Sequence, residues 1–395
     1  MSAKRKTTIG VIFGGRSVEH EVSVVTGHQI MDAFDPERYE VVPIYIDREG
    51  MWFTGDPLLD VKNFQNEVVS LAGVQQTLLS PSVQHHGLIV NPTPMGLFAK
   101  AQVKRLDVAF PAIHGSHGED GTLQGLFELA DIPYVACGVL ASAIANDKVM
   151  AKNVLRQAGI PVVDGIDFTR AEWLDHADAI IEQITTTLPY PVFVKPVTLG
   201  SSIGVAKADD EKFLRAYIDI AANFDRHVLV ERAITNCVEI NCSVLGDDRG
   251  MQASVLEQPL SVSGTLTYED KYLGGTKGMK SADRIIPAPL GDDLTKRVQD
   301  MAVAAFRAID GRGITRIDFL VRPESGEIFL NEMNTLPGSL SFYLWEPSGS
   351  KPRDLVHRLV TLAQDAYAEK RRSTYNYHTN LIALTASRGL KGIKK

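Results

Sequence analysis

The chain has 395 residues, of which 44% are hydrophobic and 23% are charged, and its formal net charge is −7. This composition is typical of a globular protein of two or three domains, and the acidic balance argues against nucleic acid as a partner. Three cysteines without a CxxC pair exclude a disulfide framework and indicate a reducing, cytoplasmic setting. Since no run of about 18 apolar residues occurs and the start MSAKRKTTIGVIFGG lacks a signal-peptide core, we expect neither a membrane span nor a signal peptide.

The first part of the chain has the pattern of an α/β unit. TTIGVIFGG is an apolar strand that ends in glycines, residues 18–33 have helical spacing, and YEVVPIYI, LDVAFPAIHG and YVACG are predicted as further strands. Strand, glycine-rich turn and helix in this order predict a parallel sheet with a binding crevice at the strand ends. Residues 54–104 are less regular, and SPSVQHHGLIVNPTPMGLFAK within them is predicted as a hairpin with a loop.

Two further segments follow from about residue 145. DKVMAKNVLRQAGI predicts a helix, PYPVFVKPVTLGSSIGVAKA predicts strand, loop and strand, and HVLVERAI predicts another strand. The third segment runs EINCSVLG, MQASVLEQPL, RIIPAPL, a helix over 293–309, RIDFLVRP and EIFLNEMN. DLVHRLVTLAQDAYAEKRR is an amphipathic helix with basic residues at its C-terminal end, and the basic tail 373–395 is expected to be frayed or weakly docked.

Acidic and amide side chains interrupt two apolar strands near the end of the third segment. Glu332 and Asn334 are two apart on FLNEMN and therefore face the same side, while Asp318 lies on IDFLV across the turn-like PESGE. A hairpin would gather these three oxygen donors on one patch of sheet, the ligand type that Mg²⁺ prefers. On this pattern alone, they fit solvent-facing positions of an antiparallel sheet equally well.

The stretch KPVTLGSSIGV, residues 195–205, is rich in backbone N–H groups and hydroxyls. Gly200, Ser201, Ser202 and Gly204 form a loop of the kind that cradles phosphate, and Lys195 precedes it. The lysine stands before the glycines, so this is not the common P-loop, and a plain hairpin connection is the alternative.

Other polar clusters allow more than one interpretation. HGSHGEDGTLQG, residues 114–125, is predicted as a glycine-rich substrate loop before a helix over 122–130, and metal binding by His114 and His117 is the alternative. Glu19 stands at the start of the helix in GGRSVEHEVSVVTG, where acids are normal capping residues. Glu231 and Glu239 lie near a strand end, where acids are usually only solvated.

Taken together and in this order, several stretches resemble the D-alanine–D-alanine ligase family of ATP-grasp enzymes, from about residue 8 to about residue 344. They are GGRSVEHEVS, HGSHGEDGTLQG, GVLASAIANDK, KPVTLGSSIGV, YEDKY, RIDFLV and NEMNTLPG. The resemblance implies an α/β and α+β multidomain fold. Its parts are an N-terminal parallel-sheet (pre-ATP-grasp) domain (1–144), a central ATP-grasp subdomain with a phosphate lid loop (145–229), a C-terminal ATP-grasp subdomain (230–372) and a basic tail (373–395).

The resemblance also implies a role for each matching residue. ATP would lie between the central and C-terminal subdomains. Its phosphates would contact Lys148 and Lys195, and its adenine and ribose would contact Glu231 and Glu239. The lid 197–204 with Ser202, and Lys271, would also contact ATP. Two Mg²⁺ or Mn²⁺ ions would bind Asp318, Glu332 and Asn334. Catalytic roles fall to Glu19, Ser201, Tyr272, Arg316 and the backbone N–H of Gly338, and substrate contacts to His114, Ser339, Ser341, Tyr343 and Leu344.

The reaction implied by the resemblance joins two D-alanines through an acylphosphate, in a cytoplasmic homodimer that supplies peptidoglycan precursors. Tyr272 stands where a tyrosine goes with an amine as acceptor, whereas a phenylalanine goes with D-lactate. Tyr343, however, replaces a serine that contacts the carboxylate of the second substrate. This departure leaves a different second amino acid or hydroxy acid as the alternative. A non-catalytic nucleotide sensor would lack the metal ligands or phosphate lysines, and this chain has them all.

Overall fold

The computed structural model describes residues 5–92, 101–260, 284–375, 377 and 379–388, so the predicted site residues Lys271 and Tyr272 lie outside the described residues.

The strands are β1 (Thr7–Gly14), β2 (Tyr39–Ile46), β3 (Trp52–Thr54), β4 (Gln75–Leu79), β5 (Gly87–Val90), β6 (Gln102–Arg105), β7 (Val108–Pro111), β8 (Gly165–Thr169), β9 (Val192–Pro196), β10 (Ala206–Ala208), β11 (His227–Arg232), β12 (Val238–Asp247), β13 (Gly250–Pro259), β14 (Arg284–Ile285), β15 (Gly313–Arg322) and β16 (Glu327–Asn334).

The helices are α1 (His20–Ala33), α2 (Thr122–Ala130), α3 (Val139–Asn146), α4 (Lys148–Gln157), α5 (Arg170–Thr187), α6 (Glu211–Phe224), α7 (Asp292–Ala308), α8 (Phe342–Trp345), α9 (Pro352–Lys370) and α10 (Leu381–Arg388). Short 3₁₀ turns cover Asp56–Leu59, Val61–Gln65, Val68–Ser70 and Gly338–Ser341. Within the described part of the chain, no helix combines the length and apolarity that a membrane crossing requires.

The N-terminal sheet has the strand order β6-β5-β4-β3-β2-β1-β7. β1 pairs in parallel with β2 and β7, as the sequence predicts, and α1 forms the crossover from β1 to β2. The strands from β3 to β6 add antiparallel neighbours, so the sheet is mixed rather than wholly parallel. The connections β2–β3 and β4–β5 are shorter than the crossover of about a dozen residues that a parallel pair needs, which accounts for the antiparallel pairing there.

Three local predictions in this part of the chain need correction. YVACG is not a strand, because only Tyr134 bridges to Ala109 and Ala136 adopts a left-handed φ of 97° that breaks the extended backbone. The hairpin predicted over 80–100 contains β5, but the strand that pairs with it, β6, begins at Gln102, just beyond that stretch. The helix predicted from residue 18 begins at His20.

Two further sheets follow, with the orders β10-β9-β11-β8 and β14-β13-β12-β15-β16. Helices α5 and α6 cover the four-stranded sheet, and α3, α4 and α7 cover one face of the five-stranded sheet. The core under α7 takes alternate residues of the strands, among them Ile240, Cys242, Ile317 and Phe319. Since neighbouring side chains on a strand point to opposite faces, the intervening polar residues lie on the other face of this sheet.

The remaining elements differ from their predictions in small ways. RIIPAPL contributes only the two residues of β14, since Pro287 has no N–H to donate to a strand partner. The tail predicted to be frayed contains α10, in which Leu381 and Ile382 are exposed. β11 belongs to the four-stranded sheet and ends at Arg232, three residues past the predicted division at 229/230. The proposed domain boundaries stay a prediction.

Candidate active site

Two cavities lie side by side on the face of the five-stranded sheet opposite α7. The arginine cavity, named for Arg284 and Arg316, is also lined by Glu19, His114, Glu119, Gly200, Ser201, Asn241, Glu257, Asn334, Gly338, Ser339 and Tyr343. The lysine cavity, named for Lys148 and Lys195, is also lined by Ser202, Glu231, Cys237, Leu320 and Asn331. Glu239 and Glu332 line both cavities, so the two spaces meet at these carboxylates.

A row of four polar side chains crosses the floor of the site. Glu257, Asn241, Asp318 and Glu332 are successive register partners on β13, β12, β15 and β16. The pairing of β15 with β16 shifts by one residue after Asp318, so that Asn331 is the extra residue of a bulge. The bulge lets both Asn331 and Glu332 line the lysine cavity, although they are adjacent in the chain.

The predicted hairpin between Asp318 and Glu332 is confirmed, and it carries an ion pair as well. Arg316 donates from Nε and Nη2 to the two carboxylate oxygens of Asp318, both at 2.7 Å. Asn334 donates from Nδ2 to Asp318 Oδ2 at 3.1 Å. Burial opposes the charge on Arg316, but the neighbouring Asp318 raises the pKa of the guanidinium well above its ordinary value. Arg316 is therefore a permanent cation held against the floor of the arginine cavity.

The donor set at this hairpin fits a hard divalent cation. Two carboxylates, from Asp318 and Glu332, and the amide oxygen of Asn334 lie on one patch of the sheet. Mg²⁺ typically takes one or two protein carboxylates and completes its shell with water and substrate phosphates. Among the described residues, no group of three or more His, Cys, Asp or Glu side chains is arranged to hold a metal, so His114 and His117 form no such centre there. The assignment of the hairpin residues as metal ligands stays a prediction.

A buried carboxylate lies between two lysines at the back of the lysine cavity. Glu231 accepts ion pairs from Lys152 Nζ and Lys195 Nζ, each at 2.5 Å. Burial disfavours its charge, but the two lysines lower the pKa of Glu231 from 4.5 to about 2. Lys195 also donates to Asn331 Oδ1 at 3.2 Å. Both Glu231 oxygens thus contact lysines, and its predicted contact with adenine stays a prediction.

Lys148 connects α4 with the predicted lid loop. Its ammonium group donates to the carbonyl oxygens of Leu199 at 2.6 Å and Val197 at 3.4 Å, and burial lowers its pKa. The start of the loop is anchored where Thr198 donates from its backbone N–H and its hydroxyl to Asp225, at 2.7 and 2.8 Å. Lys148, which is predicted to contact the ATP phosphates, therefore lies at the boundary between the loop and the lysine cavity.

The N-terminal unit contributes Glu19 and His114 to the arginine cavity. Ser201 of the loop donates a hydrogen bond to Glu19, the residue that precedes α1. His114 is within hydrogen-bonding distance of Thr26 Oγ1 at 2.9 Å and of Glu119 Oε1 at 3.5 Å. Burial disfavours a charged ring, but the hydrogen bond and charge of Glu119, helped by Glu19, raise the pKa of His114.

The turn after Pro337 closes the other side of the arginine cavity. Ser339, Leu340 and Ser341 all adopt left-handed φ values of 48–51°, a conformation that non-glycine residues adopt at a cost and that clusters at binding sites. Ser339 donates from its backbone to Thr26 Oγ1 at 3.3 Å and from its hydroxyl to Gln29 at 2.6 Å, which ties the turn to α1.

Ser341 ends this turn, and the predicted substrate residues Tyr343 and Leu344 follow it. Tyr343 lines the arginine cavity, whereas the side chains of Ser341 and Leu344 are buried and line neither cavity. Their predicted roles in substrate binding stay predictions.

Sequence reasoning missed several residues that line the two cavities or, like Lys152, contact a residue that does. Lys152 follows Lys148 by four residues, a spacing that puts both on one face of α4 and could have indicated it. Asn241 follows Glu239 by two residues on the same strand and could have been found in the same way. Arg284 and Glu257 carry no such signal, because only the pairing of β13 with β14 brings them together.

Comparison with known proteins places the chain in a family. A family model described as D-ala D-ala ligase N-terminus matches residues 8–137, and one described as D-ala D-ala ligase C-terminus matches residues 154–361. A D-alanine--D-alanine ligase from Heliobacterium modesticaldum is 42% identical over 376 residues, which cover 93% of this chain and 97% of the relative.

Solved structures agree with the sequence relatives. The crystal structure of VanG D-Ala:D-Ser ligase from Enterococcus faecalis is similar with a TM-score of 0.78 at 32% identity, covering 91% of this chain and 100% of that one. The D-alanine-D-alanine ligase from Coxiella burnetii is similar with a TM-score of 0.76 at 27% identity, covering 97% and 100%. The chain belongs to the D-alanine–D-alanine ligase family, and the predicted family and multidomain ATP-grasp fold are confirmed.

Proposed function

We propose that the chain is an ATP-dependent ligase that joins two D-alanines into D-alanyl-D-alanine. The observation that carries this proposal is the meeting of the two cavities at Glu239 and Glu332. A space lined by lysines, suited to a polyphosphate, thereby opens directly onto a space lined by several acids and two arginines, suited to amino acids. Membership of the family and the name of the Heliobacterium relative support this reading.

The lysine cavity takes ATP. Lys148 and Lys195 neutralise its phosphates, the loop 197–204 with Ser202 covers them, and Lys271 adds a further contact from outside the described residues. Glu239 and Glu231 face the ribose and the adenine amino group, and nucleotide binding would have to release Glu231 from one of its lysines. Phosphoryl transfer needs mainly positioning and neutralisation of charge, which these cations provide.

The hairpin residues Asp318, Glu332 and Asn334 would hold two Mg²⁺ or Mn²⁺ ions, which would neutralise charge on the ATP phosphates. The two hydrogen bonds from Arg316 hold the Asp318 carboxylate in a fixed direction.

The arginine cavity takes the first D-alanine. Glu19 binds its ammonium group, with His114 nearby, and its carboxylate points toward the junction of the two cavities. Transfer of the γ-phosphoryl group to this carboxylate gives an acylphosphate and ADP. Attack by the amine of the second D-alanine then gives a tetrahedral oxyanion, which Arg316 and the backbone N–H of Gly338 stabilise before phosphate leaves.

Water has to be excluded while the acylphosphate exists, because it would hydrolyse. The hydrogen bond between Ser201 and Glu19 holds the loop across the opening of the arginine cavity. Tyr272, outside the described residues, joins these two side chains in the proposed closing set. The second D-alanine lies against Ser339, Tyr343 and the segment through Ser341 and Leu344.

The same proposal includes a setting for the enzyme. It acts as a homodimer on small-molecule substrates in the cytoplasm and supplies a dipeptide for peptidoglycan precursors, with no nucleic-acid or membrane partner. Its domains are divided near residues 144, 229 and 372.

The test is an assay of the purified chain with ATP, Mg²⁺ and D-alanine, in which ADP and dipeptide are both quantified. D-Serine and D-lactate are offered as competing acceptors. We expect one ADP per D-alanyl-D-alanine formed. Turnover with D-serine or D-lactate but not with D-alanine alone would support the alternative acceptor, and nucleotide binding without turnover for any acceptor would indicate a sensor.

A further inference from the structure

Arg284 occupies a defined position on the wall of the arginine cavity. Its guanidinium carbon lies 4.1 Å from the centroid of the Tyr343 ring, and its Nη1 forms an ion pair with Glu257 Oε1 at 3.2 Å. Arg284 begins β14 and pairs with Pro259 of β13, two residues beyond Glu257. The Tyr343 ring and the Glu257 carboxylate therefore fix the orientation of the Arg284 side chain.

The two partners of Arg284 are themselves held in place. Glu257 is 2% exposed, and its second oxygen accepts from Asn241 Nδ2 at 3.2 Å. Burial, with the charge of Glu257, raises the pKa of Tyr343 to about 12, so its ring stays neutral and can stack against a cation. The N–H donors of a guanidinium lie in the plane of the group. When an aromatic ring covers one face of the guanidinium, these donors point outward in that plane, toward a ligand beside it.

The charge balance of the cavity indicates what this edge binds. Glu19, Glu119, Glu239, Glu257 and Glu332 make its lining acidic, and an acceptor amino acid brings a carboxylate into it. Of the two arginines on the described lining, Arg316 directs two donors to Asp318 at the centre of the floor. Arg284 instead pairs with Glu257, which stands at the opposite end of the floor row from Glu332, where the two cavities meet.

We propose that Arg284 binds the carboxylate of the acceptor amino acid and thereby selects an acceptor that carries one. Tyr343 is a positioning residue, since its ring supports the guanidinium. The inference rests on the proposed function, because it assigns a residue to the second substrate of that reaction. It also gives the replacement of serine by Tyr343 a physical meaning, since a large ring supports a cation where a small hydroxyl would contact the carboxylate directly.

The test is a competition between two acceptors that differ only at the carboxyl group. D-Alanine and an excess of D-alaninamide are offered together with ATP, and mass spectrometry gives the ratio of dipeptide to dipeptide amide. For Arg284→Gln we expect the ratio to fall by roughly 10- to 100-fold relative to the unmodified chain, the effect of losing a hydrogen bond to a charged group. Arg297→Gln, in which the lost arginine contacts the Gly326 carbonyl outside both cavities, is the matched control and should leave the ratio unchanged.

Two variants of Tyr343 separate its ring from its hydroxyl. Tyr343→Phe keeps the ring and should keep the ratio, whereas Tyr343→Ala removes the support and should lower it by a few fold. A ratio that falls in Tyr343→Phe and is unchanged in Arg284→Gln would assign the carboxylate to the phenol and overturn the proposal.

If Arg284→Gln forms neither the dipeptide nor the dipeptide amide, the same ratio is measured with Arg284→Lys. Lysine keeps the charge but not the planar fork, so we expect a smaller fall in the ratio. An unchanged ratio in every Arg284 variant that is active overturns the inference while leaving the proposed function intact. Absence of both products from the unmodified chain instead contradicts the proposed function.

Discussion

Ser201 and Glu19, 182 residues apart in the chain, form a hydrogen bond between the predicted lid loop and the start of α1. The serine hydroxyl donates to a carboxylate oxygen, and Ser201 adopts a left-handed φ of 53°. This charge-assisted hydrogen bond therefore connects the loop with a residue of the proposed first-substrate site.

Removal of this contact should uncouple the reaction. In Ser201→Ala, we expect the KM for D-alanine to rise by about 10-fold, in line with loss of a hydrogen bond to a charged group. We also expect more than one ADP per dipeptide, because water reaches the acylphosphate. The ratio is measured by parallel quantification of ADP and dipeptide, with Ser82→Ala as a control in a distant loop. A ratio of one with an unchanged KM would contradict a closing role for Ser201.

Glu332 should be indispensable for turnover and dispensable for folding. We expect Glu332→Gln to lower kcat by at least about 100-fold, because it removes a charge at the junction of the two cavities where phosphoryl transfer is proposed. ADP release measures the rate and circular dichroism the fold. Glu327→Gln, an exposed position on the same strand, is the matched control. Equal rates for both variants would refute the assignment of Glu332 as a metal ligand.

The Glu231 carboxylate should contribute to stability in a pH-dependent way. Its pKa falls from 4.5 to about 2 on folding, so its contribution is present above pH 4.5 and is lost as the pH falls toward 2. At pH 7, Glu231→Gln should lower the free energy of unfolding by about 3–5 kcal/mol, because two buried lysines lose their partner.

Urea unfolding of the Glu231→Gln variant and the unmodified chain at pH 7, 4 and 3 tests this. The difference in the free energy of unfolding should shrink at each step down in pH. Glu182→Gln, at an exposed position of α5, should change little at any of these values. A difference that is constant over this range would show that the ion pairs with Lys152 and Lys195 do not account for it.

Cysteine alkylation offers a test of the nucleotide site that needs no turnover. Cys137 and Cys242 are buried, and burial raises the pKa of Cys242 to about 12, so both should resist iodoacetamide in the folded chain. Cys237 is partly exposed, lines the lysine cavity and has a pKa raised by burial. It should react slowly at pH 7 and faster as the pH rises.

ATP should protect Cys237 from this reaction. At a nucleotide concentration tenfold above its Kd, we expect the rate to fall by about tenfold, since only the free protein reacts. Peptide mapping by mass spectrometry follows each cysteine separately, and adenosine, which lacks phosphates, serves as the control ligand. A Cys237 rate that does not respond to saturating ATP would exclude the lysine cavity as the nucleotide site.

The amino-acid sequence by itself determined the elements with clear periodicity and the motifs that lie within one element. Asp318, Glu332 and Asn334 could be assigned to one side of a hairpin because strand side chains alternate, and the pairing of β15 with β16 agrees. The family could be recognised because its motifs follow one another along the chain. The helix α2 was likewise evident, since it begins after a glycine-rich loop and has regular helical spacing.

The tertiary structure alone decided which residues become neighbours. Lys152 meets Glu231, Arg284 stacks on Tyr343, and Ser201 reaches Glu19 through packing between separate elements. The extra residue Asn331 enters the lysine cavity through a bulge that strand periodicity does not reveal. Local sequence encodes backbone preference and the alternation of faces, whereas contacts between distant segments depend on strand register and on how the sheets pack. That is the physical reason why the predicted site contained the motifs but lacked Arg284 and Lys152.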